Sequence, residues 1–238
     1  MKELTILHLY PKDMNLYGDH GNVLTLQRRL EWRGVTANVI TYNVGNKFPA
    51  QPDIIFGGGG QDSGQDIIAK DLQTIAPKLK RLVEANTPTL TICGMYQMFG
   101  RFFKTLTGEV INGISIFDIE TIGGNERLIG NIITQSDQFG EIIGYENHSG
   151  KTYLGKNAVA LAKVKMGAGN NDEDGLEGVI YKNAIGTYLH GPLLPKNPRI
   201  ADFLIAQALQ NKYGKAGLTD LDDSLIEQAR AIAKKRPR

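Results

Sequence analysis

Strand-like and helix-like segments alternate along the first half of the chain, and this pattern most restricts the fold that it can adopt. Residues 22–33 and 68–82 carry apolar side chains at helical spacing, and Pro77 is expected to divide the second segment into two helices. The apolar runs around them have the length of buried strands; they are residues 4–10, 35–42, 53–56 and 87–92. The sequence therefore predicts an α/β fold with a mostly parallel central sheet flanked by helices.

The second half is richer in strand-like runs and ends in two helical segments. Residues 169–175 form a polar loop, and apolar periodicity predicts closing helices at 198–213 and 221–234. The predicted strands are residues 114–121, 130–134, 142–145, 159–164, 178–181 and 184–190. Because no repeat or linker-like stretch interrupts the sequence, we expect a single domain over residues 1–238.

Cysteine and charge counts exclude several classes of protein. One cysteine among 238 residues cannot form an internal disulfide or a cysteine-rich metal site, and we expect no metal site. The 27 basic and 25 acidic side chains give a net charge of +2, which does not support nucleic-acid binding. The sequence has neither a transmembrane-length apolar run nor a signal-peptide pattern, so we expect a cytoplasmic protein without membrane insertion.

The single cysteine, Cys93, lies between the strand-like residues 88–92 and a helical stretch that begins at Gly94. A side chain on a sharp strand-to-helix turn projects above the edge of a sheet, and the positive end of the helix favours a thiolate. The pattern favours a nucleophile at Cys93, with the Gly94 N–H as a donor to an oxyanion. The alternative is a small buried apolar residue, as most lone cysteines are.

Four consecutive glycines, Gly57 to Gly60, follow one of the predicted strands. Their unobstructed N–H groups could bind a phosphate or an oxyanion, or the run could be a flexible turn. The spacing matches neither the dinucleotide-binding nor the P-loop pattern, which disfavours a nucleotide. We therefore interpret the run as the second part of an oxyanion hole, with Gly59 or Gly60 as the donor.

His190 ends an apolar strand-like run and precedes Gly191-Pro192. At the end of a strand in an α/β sheet it could deprotonate Cys93 and later protonate a leaving amine. The alternative is a histidine that only stabilises a loop. Among the other histidines, His8 lies within a strand and is expected to be structural, and His148 has no assigned role.

Three stretches of the sequence resemble one family of enzymes. They are Leu-Tyr-Pro-Lys-Asp-Met-Asn-Leu-Tyr-Gly-Asp-His-Gly-Asn at residues 9–22, Gly-Tyr-Glu-Asn-His-Ser-Gly at 144–150 and Tyr-Leu-His-Gly-Pro at 188–192. With Cys93 and the glycine run, the chain resembles the class I glutamine amidotransferases of the cobyric acid synthase-like branch, and most closely the glutaminase subunits of bacterial lipid II isoglutaminyl synthase. The resemblance implies a flavodoxin-like sheet over nearly the whole chain and a Cys-His enzyme that hydrolyses L-glutamine to glutamate and ammonia.

The resemblance also implies further site residues. Asp19 is the counterpart of a third catalytic residue, although it could instead cap the helix that follows it. Arg127 resembles the arginine that binds the substrate carboxylate, for which a guanidinium is well suited, and its alternative is an ordinary surface arginine. Gln97, four residues after the cysteine, occupies a position where relatives hold bound glutamine.

Two departures from the family pattern affect these assignments. Many class I enzymes have a glutamate two residues after the histidine, where this chain has Pro192. The third catalytic residue must then come from elsewhere, or the site is a dyad. Met95 stands where other branches keep a glycine after the nucleophile, so the turn around Cys93 must accommodate a large side chain.

The resemblance implies a partner as well. The chain contains no recognisable ATP site, so no cofactor is expected here, and ATP and Mg²⁺ are expected on a synthase subunit. For the closest branch this partner is a MurT-like Mur-ligase subunit, expected to form a heterodimer, which would use the ammonia to convert D-glutamate in lipid II to D-isoglutamine. The alternatives are a glutaminase for cobyrinate-type amidation, a Cys-His hydrolase or peptidase, and a non-catalytic binding module.

Overall fold

The computed structural model describes residues 2–60, 65–215 and 217–236, which form two sheets and five α-helices within the described ranges. The strands of the first half are β1 (Glu3–Leu9), β2 (Thr36–Tyr42), β3 (Ile54–Gly57) and β4 (Thr89–Ile92). The helices of this half are α1 (His20–Glu31), α2 (Gln65–Glu84) and the short α3 (Gly94–Met98). The second half contains β5 (Phe102–Lys104), β6 (Val110–Asn112), β7 (Ile119–Ser136), β8 (Gly140–Leu154), β9 (Ala162–Met166), β10 (Leu176–Glu177), β11 (Val179–Tyr181), β12 (Ala184–Thr187), α4 (Pro198–Tyr213) and α5 (Ser224–Ala233).

The first sheet has six strands in the order β11-β12-β4-β3-β1-β2. All neighbouring pairs are parallel except β11 with β12, and the apolar faces of β1, β3 and β4 lie in the main hydrophobic core. Parallel strands of this kind are covered on both faces, which explains their continuous apolar sequences. The predicted parallel, helix-covered sheet is confirmed.

Helix α1 ends at a glycine. Gly34 has φ +68, its N–H donates to Glu31 O at 2.9 Å, and Val35 N–H donates to Leu30 O at 3.0 Å. This is a Schellman-type end with glycine in the left-handed conformation. It turns the chain directly into β2, the edge strand that pairs with β1.

Helix α2 corrects one prediction, because Pro77 lies inside a continuous helix and does not divide it. Pro77 and Gln73, whose carbonyl loses its helical donor, both lie on the exposed face, where water can replace that donor. On the opposite face Leu72 and Leu79 are buried on either side of the proline and hold the two halves in line.

The second sheet is mostly antiparallel, with the order β10-β9-β7-β5-β6 and β8 paired to β7. The sequence predicted several short strands here, whereas β7 and β8 form one hairpin of 18 and 15 residues. Strands β5, β6 and β10 had no counterpart in the predictions. The polar loop at 169–175 does lie between two antiparallel strands, β9 and β10.

The two sheets meet where β12 ends. His190 N–H donates to Tyr145 O at 2.8 Å and Tyr145 N–H donates to His190 O at 3.3 Å, so strand β8 pairs with the backbone just beyond the parallel sheet. The hairpin is thus attached to the edge at which β4 and β12 end. Within the described ranges, none of the helices combines the length and the apolar character needed to cross a membrane.

Candidate active site

Cys93 occupies a strained turn between β4 and α3. Its backbone has φ 49 and ψ −109, a conformation that residues other than glycine adopt only when the surrounding structure imposes it. Two hydrogen bonds impose it, since Cys93 N–H donates to Thr187 O and Cys93 O accepts from Gln97 N–H, both at 2.9 Å. The predicted strand–cysteine–helix turn is therefore present.

His190 lies beside Cys93 because β12 and β4 are parallel neighbours, with Thr187 paired to Ile92. The imidazole is fully buried, and its Nδ1 lies 3.4 Å from Asp19 Oδ1. Burial lowers the pKa of His190, but the charge on Cys93 and the hydrogen bond with Asp19 outweigh it and raise the pKa to about 10. At neutral pH His190 is therefore expected to carry a proton beside Cys93.

Asp19 does not cap the helix that follows it. Although it precedes α1, its side chain makes no capping hydrogen bond. The buried carboxylate instead has Oδ1 facing His190, and its Oδ2 accepts from Gly59 N–H at 2.7 Å. Of the two interpretations of Asp19, the geometry supports the one in which it orients His190.

Gly59 is the point at which the three side chains converge. A Cβ at this position would lie 2.8 Å from His190 Cε1 and 3.3 Å from both Asp19 Oδ2 and Cys93 Cβ. Position 59 therefore requires glycine, because His190, Asp19 and Cys93 already fill the space that a side chain would need.

The hydrogen bond to Asp19 occupies the Gly59 N–H that the sequence offered as an oxyanion donor. In this structure Gly59 is therefore not free for that role. Gly60 lines the same cavity as Cys93, and Gly94 provides the first N–H of α3, a position without an acceptor inside the helix. Gly94 and Gly60 remain the predicted donors.

At both positions where the chain departs from the family pattern, Pro192 and Met95, the side chain packs against a glycine. Pro192 packs against the first turn of α1, just after Asp19, since a Cβ at Gly21 would lie 2.5 Å from Pro192 Cγ. Met95 fills the space above Gly57, where a Cβ would lie 2.4 Å from Met95 Cγ. The glycine missing after the nucleophile is thus balanced by a glycine on the neighbouring strand β3.

Arg127 reaches the site from an irregularity in the hairpin. Gly123 pairs with Gly150 and Leu128 with His148, so residues 124–127 bulge out of β7 opposite a single residue of β8. Bulges re-aim side chains in this way. The exposed Arg127 donates from Nε to Asn147 Oδ1 and from Nη2 to Tyr17 OH at 3.2 Å.

Gln97 is buried beneath the cavity and held by a chain of hydroxyl groups. Its Nε2 donates to Tyr188 OH at 3.0 Å, and Tyr188 OH lies 2.6 Å from Thr152 Oγ1. The ring of Tyr188 is stacked on His148, with 3.5 Å between centroids. His148 Nδ1 donates to Gly150 O at 2.8 Å, and burial lowers the pKa of His148 to about 4, which makes it a neutral packing partner.

Several of these side chains line one cavity of about 440 Å³, a volume typical of small-molecule sites. It is lined by Leu16, Tyr17, Gly60, Cys93, Gln97, Phe103, Arg127, Asn147, His148, Ser149 and Gly150. Sequence reasoning brought Cys93, Arg127 and Gln97 to this site but missed the contribution of Tyr17. Tyr17 and Asn147 lie inside stretches that carry the family resemblance, which was the available signal.

Two of the remaining expectations concern histidine and metal. His8 is buried against Phe56 and His20, and burial lowers its pKa to about 4, in agreement with a structural role. In the described part of the chain no three metal-ligating side chains are grouped as a metal site would require.

The sequence matches the CobB/CobQ-like glutamine amidotransferase domain over residues 5–198. Over 234 residues it is 42% identical to the lipid II isoglutaminyl synthase (glutamine-hydrolyzing) subunit GatD of Staphylococcus aureus, covering 98% of this chain and 95% of that protein. It is 38% identical to the corresponding GatD subunit of Streptococcus pneumoniae, covering 90% and 83% of the two chains. A cobyric acid synthase of Clostridium acetobutylicum is 33% identical, but the match covers only 59% of this chain and 29% of that protein.

Solved structures support the same fold. A glutamine amidotransferase from Thermotoga maritima matches with a TM-score of 0.56, covers 97% of this chain and 93% of its own, and is 13% identical. Another glutamine amidotransferase reaches a TM-score of 0.60 with 85% and 98% coverage at 14% identity.

Fold and sequence together define an enzyme with glutamine amidotransferase activity. The chain belongs to the CobB/CobQ-like glutamine amidotransferase family.

Proposed function

We propose that this chain is the glutaminase subunit of a lipid II isoglutaminyl synthase and that Cys93, His190 and Asp19 are its catalytic residues. The observation that carries the chemical part is the convergence of these three side chains on Gly59 at the ends of parallel strands. The similarity to two GatD subunits over most of the chain supports the biological part.

In the first half of the reaction, the Cys93 thiolate attacks the carboxamide carbon of L-glutamine. The Gly94 and Gly60 N–H groups bind the oxyanion that develops. The His190 imidazolium donates its proton to the departing nitrogen, so the C–N bond breaks, ammonia leaves and a thioester to Cys93 remains.

In the second half, neutral His190 removes a proton from water as the water attacks the thioester carbon. The C–S bond breaks, glutamate leaves, and the thiolate–imidazolium pair is restored. Asp19 holds the imidazole in one orientation and stabilises its charged form in both halves.

Recognition of glutamine needs a cation for the α-carboxylate and polar groups for the α-amine. Arg127 has N–H groups beyond the two that Asn147 and Tyr17 accept, which leaves donors for a carboxylate. Gln97 lies at the base of the same cavity, and its Nε2 is engaged by Tyr188, so its Oε1 is the atom offered to the substrate amine.

The ammonia would pass to a MurT-like Mur-ligase subunit in a heterodimer. That subunit would bind ATP and Mg²⁺, activate the α-carboxyl of D-glutamate in lipid II, and form D-isoglutamine with the ammonia. We place the complex on the cytoplasmic side, where the peptidoglycan precursor and ATP are both accessible.

A glutamine-analogue diazoketone tests the chemical part. It should alkylate Cys93 in the complex with the ligase subunit, and excess L-glutamine should protect the thiol. D-Glutamine at the same concentration is the matched control and should not protect. Absence of labelling, or equal protection by both enantiomers, would refute a glutaminase and favour a less selective Cys-His hydrolase.

Reconstitution tests the biological part. The chain mixed with a Mur-ligase-like subunit, ATP, Mg²⁺ and lipid II should yield amidated lipid II with glutamine as the nitrogen donor. Replacing glutamine by ammonium salts should bypass the glutaminase but still require the ligase. Amidation of a cobyrinate-type acceptor, and not of lipid II, would identify the alternative function.

A further inference from the structure

Tyr17 connects the two parts of the candidate site, the Cys93–His190 pair and the hairpin that carries Arg127. It belongs to the short 3-10 turn Leu16–Gly18, directly before Asp19, and its ring reaches across the cavity to the hairpin. The residue is 44% exposed, so burial alone does not explain its position.

The hydroxyl of Tyr17 is an acceptor for two donors of the hairpin. Asn147 Nδ2 donates to it at 2.7 Å and Arg127 Nη2 at 3.2 Å, while Asn147 Oδ1 accepts from Arg127 Nε. Tyr17 and Asn147 together therefore engage the Nε–Nη2 edge of the guanidinium. Among the described residues these two side chains do not engage the Nη1 group of Arg127, which can therefore hold an anion.

The ring of Tyr17 contacts the other part of the site. It meets the His190 imidazole edge-on, with 4.9 Å between the ring centroids. Tyr17 also has φ 53, a left-handed conformation that is unfavourable for an aromatic residue. An unfavourable backbone at an exposed side chain indicates that the position of the side chain matters to the site.

We propose that Tyr17 is a positioning residue for substrate recognition, whose hydroxyl fixes the orientation of Arg127 relative to the Cys93–His190 pair. The inference rests on the proposed glutaminase function, because it assumes that Arg127 binds the substrate α-carboxylate. Loss of the hydroxyl should weaken recognition of the amino-acid part of glutamine and leave the reactivity of the thiol unchanged.

The test compares two electrophiles on the Tyr17→Phe variant. Iodoacetamide reports on the Cys93 thiolate alone, whereas the glutamine-analogue diazoketone must also bind through its α-carboxylate. We expect a roughly three- to tenfold lower second-order rate with the diazoketone, and no change with iodoacetamide. Tyr181→Phe is the matched control, because Tyr181 is 37% exposed, donates to Glu84 at 2.7 Å and lies outside the cavity.

A double-mutant cycle identifies the residue through which Tyr17 acts. In an Arg127→Gln background, Tyr17→Phe should have no further effect on the diazoketone rate. The proposal is overturned if the fold-changes of the two substitutions multiply in the double variant. It is also overturned if Tyr17→Phe leaves the diazoketone rate unchanged or lowers the alkylation rates of both electrophiles equally. Failure of the unsubstituted chain to be protected by L-glutamine would instead refute the glutaminase function itself.

Discussion

The parallel sheet and the β7–β8 hairpin contribute different groups to one candidate site. The parallel sheet supplies Cys93 and His190 at the ends of adjacent strands, and both are buried. The hairpin supplies Arg127 from a bulge, and this side chain is exposed. The difference indicates that the groups proposed to break the amide bond are fixed by the core, whereas the group proposed to recognise the substrate is held by a few polar contacts. Substitutions in the two regions should therefore have separable kinetic effects.

The largest loss of activity is expected for a substitution of Cys93, at the end of β4. Cys93→Ser should lower glutamine hydrolysis by roughly 10³-fold or more, because a hydroxyl is a much weaker nucleophile at neutral pH. Circular dichroism should show an unchanged fold, since the two side chains differ by one atom. Ammonia release measured at saturating glutamine checks the prediction, and turnover within tenfold of the original would exclude Cys93 as the nucleophile.

The next largest effect is expected at Asp19. The charge on Cys93 contributes most to the raised pKa of His190, and Asp19 adds a hydrogen bond and a further charge. Asp19→Asn keeps the shape but removes this second charge, so kcat should fall by roughly 10²-fold while KM changes little. Because the pKa of the imidazole falls, the alkaline limb of the pH–rate profile should move to lower pH. Asp13→Asn, an exposed carboxylate of the same loop, is the control. An unchanged profile would reduce the site to a cysteine–histidine dyad.

A smaller loss of activity is expected for a substitution of Arg127 on the hairpin. Arg127→Lys keeps a positive charge but loses the planar pair of donors, so KM for glutamine should rise roughly tenfold with kcat nearly unchanged. The rate of Cys93 alkylation by iodoacetamide should not change. Arg101→Lys, which alters an exposed arginine paired with Asp118 and Glu120, is the control. A loss confined to kcat would contradict the division between the two regions.

The last and smallest expected effect is on stability, and it concerns the buried His148 of the hairpin. Its folded pKa of about 4 lies below the usual 6.5, so the unfolded chain binds more protons between these values. The free energy of unfolding should therefore fall as pH is lowered from about 6.5 to 4. His148→Gln should flatten this decline, as measured by denaturant titration at several pH values. An identical decline in both proteins would show that His148 is not buried in its neutral form.

Sequence patterns predicted the parallel sheet better than the second sheet. Buried parallel strands are continuous apolar runs between helices, and the turn around Cys93 follows from such a run. The hairpin has polar and apolar residues on both long strands, and its bulge at 124–127 depends on pairing with residues of β8. Pairing partners far apart in sequence are not visible in local periodicity.

The candidate site was likewise predictable only in part. Cys93 and His190 follow from strand ends, while Asp19 required the family resemblance, because its distance from His190 is 171 residues along the chain. The engagement of Gly59 N–H by Asp19 and the contacts of Tyr17 depend on how a loop folds over the sheet edge. No local pattern encodes these contacts.

The interlocking of Gly57 and Met95 has a consequence for recognising such enzymes from sequence. In this chain the Met95 side chain, at the start of α3, occupies the space that a side chain at Gly57 of β3 would need. A search pattern that demands glycine two residues after the nucleophile therefore misses chains in which the small residue lies on the neighbouring strand β3 instead. The two positions should covary, with a small residue at one whenever the other is large, and enlarging Gly57 should be tolerated only together with a reduction at Met95.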